Sequence, residues 1–183
     1  EGFDAMYAYL KDRNYTEGLF VFVVMVVSAT RPVLKSVTSI VNFMAAGLSK
    51  VLPFKGAICF YFVVMAIVPI LGSFITEPAA ITLAALILAD KLFSQEITKK
   101  LKYVTLATLF VNVSIGGTLT NFAAPPILMV AGTWEWSNSF MFTTFGWKAI
   151  IACCLTTFVA IAMFYKELSG VETLRTDFVA NVS

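Results

Sequence analysis

Glu77 is the residue best placed to do chemistry. It sits in SFITEPAA (73–80), between AICFYFVVMAIVPILG (57–72) and ITLAALILA (81–89), neither of which carries a charge. An ionised side chain at the centre of a bilayer costs on the order of 3 kcal/mol. The Lys and Arg residues lie at the ends of apolar runs or between them, where their stems can snorkel, so the sequence offers Glu77 no ion-pair partner. Two compensations remain: the carboxylate takes up a proton, or it coordinates a cation together with neighbouring oxygens. An acid that does each in turn exchanges one ion for the other. The structural alternative is a helix start, which an acid followed by Pro78 suits.

Sodium is a hard cation that prefers oxygen ligands. Ser73, Thr76, Glu77, Asn112, Ser114, Thr118, Thr120 and Asn121 supply side-chain oxygens near two expected breaks in helical structure. The first break is TEPAA (76–80), with Pro78. The second is TNFAA (120–124), bracketed by Gly116-Gly117 and Pro125-Pro126. Each pairs a hydroxyl with a carboxylate or amide beside small residues that let backbones approach. In hydrocarbon an unpaired amide costs several kcal/mol, so non-helical backbone at depth is tolerated only where protein or a water-filled cavity receives it. The two matching breaks put Glu77, Thr76, Thr120 and Asn121 first as Na+ ligands. Against each lone hydroxyl stands the ordinary habit of Ser and Thr, which is to bond the preceding turn.

Composition narrows the classes. Of 183 residues 59% are hydrophobic and 13% charged, about half the charge of an ordinary soluble domain, and the mean hydropathy is +0.86. This is the composition of a membrane protein. No basic stripe supports nucleic-acid binding. There is no histidine, so the commonest proton shuttle and metal ligand is missing and proton-linked chemistry falls to a carboxylate. Cys59, Cys153 and Cys154 lie in apolar runs and read as small buried hydrophobes. With no paired acids and no activated cysteine, an enzyme is not expected, and neither is a cofactor.

The elements that must position Glu77 are helices. Residues 18–30 form a short span led by Thr16 and Glu17. In 33–52, Val33, Leu34, Val37, Ile40, Val41, Met44, Leu48 and Val51 recur at helical spacing opposite Lys35, Ser39 and Asn42, the pattern of a helix lying along the membrane surface. Residues 57–93 read as a hairpin dipping into the membrane, with arms of about 9 to 16 residues, too short to cross. Residues 103–132 form a broken span and 147–165 an ordinary one. Arg31, Lys35, Lys50 and Lys55 come without an acid, and Lys91, Lys99, Lys100 and Lys102 come with Glu96 alone; both stretches read as cytoplasmic. The loop 133–146, with Glu135 and flanking Trp134, Trp136 and Trp147, reads as external, as does the acidic N-terminus. The resulting parts are 1–32 (external segment and scaffold span), 33–56 (arm), 57–165 (transport part) and 166–183 (cytoplasmic tail).

GSFITEPAAITLAALIL (72–88) and LFVNVSIGGTLTNFAAPPILMVAG (109–132) resemble motifs of a family of bacterial Na+/H+ antiporters within the ion transporter superfamily. TEGLFVFVVMVVSATRP (16–32) and FMFTTFGWKA (140–149) are similar to it as well. The resemblance implies an all-α membrane protein holding one repeat of an inverted-repeat transporter, with a re-entrant hairpin, a discontinuous helix and a horizontal arm. It further implies an elevator motion, commonly a homodimer, in a bacterial inner membrane, with Na+ as transported ion and no cofactor. Thr-Glu at the tip departs from the Ser-Asn-Thr of the superfamily's anion carriers. Na+-coupled uptake of an organic anion, and a non-transporting subunit of a larger complex, are the alternatives. The chain opens at Glu1 and shows one repeat, so a piece of a longer protein is expected, its partner half missing or supplied by another chain.

Overall fold

The computed structural model describes residues 2–12, 16–51 and 56–171. Among them every regular element is helical, and two helices are long and apolar enough to cross a bilayer, Gly56–Ile75 (20 residues) and Asn138–Met163 (26 residues).

The order is α1 (Phe3–Asp12), α2 (Thr16–Ser28), α3 (Arg31–Val51), then α4 (Gly56–Phe62), which continues through a π-helical turn (Val63–Ile67) into α5 (Val68–Ile75). Thr76 alone, extended at φ 160° and ψ 154°, separates α5 from α6 (Glu77–Lys91). After it come α7 (Lys99–Gly116), a 3₁₀ turn (Gly117–Leu119), an irregular stretch, α8 (Pro125–Thr133), and α9 (Asn138–Met141), which runs through a second π-helical turn (Phe142–Gly146) into α10 (Trp147–Met163). A short α11 (Tyr165–Leu168) follows.

The core forms where α4 and its π turn, α6, α7 and α10 meet, around Tyr61, Met65, Leu88, Leu101 and Leu109. α6 folds back along α5 so closely that a Cβ at Gly72 would fall 2.7 Å from Ala80 Cβ. The α4–α5 helix and α7 run in the same direction and in register. Tyr61 Oη and Thr105 Oγ1 lie 3.0 Å apart, Met65 O accepts from Asn112 Nδ2 at 2.6 Å, and Pro69 abuts Gly116. α10 runs the opposite way, from Gly146 beside Leu119 to Phe62 against Phe158, ring centroids 5.0 Å apart. Past its end, Glu167 receives Thr98 N–H at 2.6 Å and Thr98 Oγ1–H at 3.0 Å, which closes the basic end of the bundle against the start of α7.

Two helix boundaries differ most from the sequence reading. The arms of the helix pair are 20 and 15 residues long rather than 9 to 16, because α5 continues through Ser73, Phe74 and Ile75, so the first arm, expected to be too short to cross, is long enough to do so. The last long helix begins at Asn138, inside the stretch read as an external loop, because Ser137 caps it by accepting Phe140 N–H at 3.2 Å and Gly146 lies within the π turn instead of ending a helix. Trp147 is therefore a mid-helix residue and not a loop anchor. In α3, Val37, Val41, Met44, Ala45 and Leu48 pack inward, while Ile40, also in the apolar stripe, is 54% exposed. Residues 52–55 of the arm, including Lys55, and 172–183 of the tail lie outside the described residues.

Candidate functional site

Three helix ends converge at Thr76. α5 ends at Ile75, α6 starts at Glu77, and α7 ends at Gly116 with its 3₁₀ extension. Pro78 and Pro125 explain where two helices begin: α6 and α8 each carry Pro at the first or second position, where its missing N–H costs nothing, whereas Pro69 follows the π turn inside the continuous helix Gly56–Ile75. The C-terminal carbonyls of α5 and α7 present partial negative charge, while Glu77 stands in the first turn of α6, whose N-terminal amides favour an anion.

Ser73 is the pin of the site. Its hydroxyl donates to Gly116 O and accepts Leu119 N–H at 3.1 Å, while its own carbonyl accepts Thr120 Oγ1–H at 2.7 Å. Glu77 N–H donates to Ala123 O at 3.0 Å, tying the start of α6 to the irregular stretch. The small residues of the two matching sequences make this possible: Ala79, Ala80, Ala123 and Ala124 are buried, and a Cβ at Gly116 would fall 2.5 Å from Pro69 O.

Glu77 is half-buried. Its carboxylate accepts Ser114 Oγ–H at 3.2 Å and makes no ion pair among the described residues; the salt bridge found there joins Lys91 to Asp90. Beside it, Thr76 Oγ1 is buried and has no hydrogen-bond partner. One acid and one unsatisfied hydroxyl stand next to two helix C-termini, offset by the N-terminal amides of α6 but by no cationic side chain in an ion pair with Glu77 among the described residues.

The other candidates are placed differently. Thr118 Oγ1 bonds the preceding turn, at Ile115 O, 2.7 Å away. Thr120 is committed to Ser73. Asn121 is tethered to the start of α9, its N–H donating to Asn138 Oδ1 at 3.0 Å and its Nδ2 to Trp136 O at 2.9 Å. Asn112 is fully buried in a clasp: Nδ2 reaches Met65 O and Thr157 Oγ1 (3.0 Å), and Oδ1 accepts from Thr156 Oγ1 at 2.5 Å. Sequence reasoning missed Thr156 and Thr157, a polar pair inside the apolar run CLTTF whose adjacency was the available signal. Pro125 and Pro126 open α8 as exposed residues. Beyond Thr120 an open cleft of about 500 Å³ is lined by Phe74, Leu119, Phe122, Phe142 and a few hydroxyl and amide side chains, with no basic residue.

No curated protein and no solved structure matches the chain. A family model described as "Putative Na+/H+ antiporter" matches residues 1–181, and the chain belongs to that family.

Proposed function

We propose that this membrane protein exchanges Na+ for H+ and that Glu77 is the group both ions occupy in turn. One observation carries the proposal: a half-buried carboxylate with Ser114 as its side-chain partner and no cation beside it, next to the buried, unpartnered hydroxyl of Thr76. A proton neutralises Glu77 directly. A sodium ion neutralises it while taking Thr76 and Ser114 hydroxyls and helix-end carbonyls as further oxygens. Thr120 Oγ1–H and Asn121 Nδ2–H are donated elsewhere, so these two residues are tethered by the second break while their oxygen lone pairs stay available.

Depth supports the same role. The pairing of Tyr61 with Thr105 sets Gly56 level with Lys100, in the basic headgroup zone. From Tyr103 to Gly116, α7 climbs about 20 Å at 1.5 Å per residue, which leaves its end within a hydrocarbon layer of about 30 Å. Glu77 then lies inside the membrane on a re-entrant hairpin, facing a discontinuous helix, with both hairpin ends cytoplasmic. In a multi-pass inner-membrane protein, the hairpin, α7 and α10, held by Ser73 and Asn112, would move as one body in an elevator step. A second repeat, from the same or another chain, would close the exposed side of Glu77 in a homodimer.

Organic-anion symport needs a cationic group for the carboxylate, and the cleft beside Thr120 is lined by Phe, Leu, hydroxyl and amide side chains without Lys or Arg. The test is sodium-driven proton movement in vesicles holding the intact protein. Glu77→Gln abolishes it at normal expression; unchanged exchange removes Glu77 from the mechanism.

A further inference from the structure

We propose that α3 is a binding surface for anionic phospholipid, its cations taking headgroup phosphates while Phe43 and Ile40 enter the acyl layer. At 21 residues α3 is long enough to cross a bilayer, yet it is not among the helices apolar enough to do so. Its inner face is accounted for by packing on α4, the first π turn and α6.

The outer face divides into two flanks at 100° per residue. Arg31 and Lys35, one turn apart and both exposed, open one flank, with Ser39 following. Phe43 (81% exposed) and Ile40 (54% exposed) form the other, with Gly47 between them. Lys50 is exposed in the last turn, seven residues beyond Phe43 and so above it on the helix, where its stem can run along apolar surface and keep the ammonium outward. Between Glu17 and Glu77 there is no acidic residue, so no carboxylate in the surrounding sequence opposes these three cations.

A helix packed on protein along one face, with cations on the second and large apolar side chains on the third, fits the boundary between headgroups and acyl chains. A soluble acidic partner explains the cations and leaves Phe43 in water. A second copy of α3 explains Phe43 but brings like charges together. An anionic leaflet satisfies both flanks, and this surface is separate from Glu77, so it stands whether or not Glu77 exchanges ions.

The test compares retention of phosphatidylglycerol and phosphatidylcholine on the purified full chain by native mass spectrometry. The parent retains phosphatidylglycerol preferentially. Lys35→Gln with Lys50→Gln lowers that preference by roughly fivefold per charge removed, whereas Lys99→Gln with Lys100→Gln, at the other basic cluster, lowers it less. Equal retention of the two lipids, or equal loss in both pairs of variants, overturns the proposal. In a folded Phe43→Trp variant, bilayers with brominated acyl chains quench fluorescence beyond the parent's tryptophans. Absence of that extra quenching, or cross-linking of position 43 to a second copy or to a soluble protein, overturns it too.

Discussion

Ser73 and Gly116 are 43 positions apart and joined by one hydrogen bond, the Ser73 hydroxyl donating to the carbonyl on which α7 ends. The same oxygen takes Leu119 N–H, so a single side chain satisfies an orphan carbonyl and an orphan amide at a helix terminus. That explains a serine in the last turn of an apolar helix.

Ser73→Ala leaves both groups unpaired in a buried place, at about 1–3 kcal/mol each. A fall of several degrees in the melting temperature of the detergent-solubilised protein is expected. An unchanged melting temperature would mean that water already serves these groups.

Gly116→Ala should be worse than its chemistry suggests. The added carbon falls 2.5 Å from Pro69 O and 2.7 Å from Pro69 C, and backbone cannot rotate away, so α7 and α5 must separate at an expected cost of about 1–3 kcal/mol or more. Gly47→Ala is the control: it meets nothing within 4 Å on an exposed helix face, where Ala is favoured by about 0.5–1 kcal/mol. Opposite shifts in thermal stability check both.

Legibility in the sequence followed the range of the forces. The stripe of α3 was readable because periodicity is local, and the irregular stretch 120–124 because Pro and Gly end helices wherever they fall; the break expected over 76–80 narrows to Thr76, since Glu77 to Ala80 already form the first turn of α6. The continuation of α5 through Ser73 was not readable, since a serine beside Thr76 and Glu77 looks like part of the polar break until its partner Gly116 is in place. The start at Asn138 was hidden for a similar reason: Gly146 punctuates a sequence, but here it sits in a π turn. Asn112 and Asn121 looked alike as amides near a break. Their partners, Thr156 and Trp136, separate a clasp from a loop tether, and neither is encoded by spacing along α7.

Asn112 offers a clean choice between ligand and clasp. Its Nδ2 donates to Met65 O and Thr157 Oγ1 while its Oδ1 accepts from Thr156. Asn112→Asp keeps the shape and puts an acceptor against the Met65 carbonyl at 2.6 Å. A clasp predicts that Asn112→Asp lowers thermal stability at least as much as Asn112→Ala, by about 2 kcal/mol or more. A cation ligand predicts that Asp keeps or tightens sodium binding, which sodium-dependent stabilisation measures directly.

If one carboxylate serves both ions, the two compete and the linkage is reciprocal. Once Glu77 is mostly protonated in the absence of sodium, each unit drop in pH raises the sodium concentration for half-maximal stabilisation by about tenfold. Well above that pH the dependence flattens. Ser114 donates to the ionised carboxylate and therefore favours that form over the acid. Ser114→Ala removes this help, so protons compete better and the bend in the sodium curve moves to higher pH. Glu77→Gln, with no proton to exchange, gives a flat profile. Sodium titrations of the purified chain by thermal shift at several pH values read all three. A parent curve independent of pH would place proton and cation on different groups and leave Glu77 as the first-turn acid of α6.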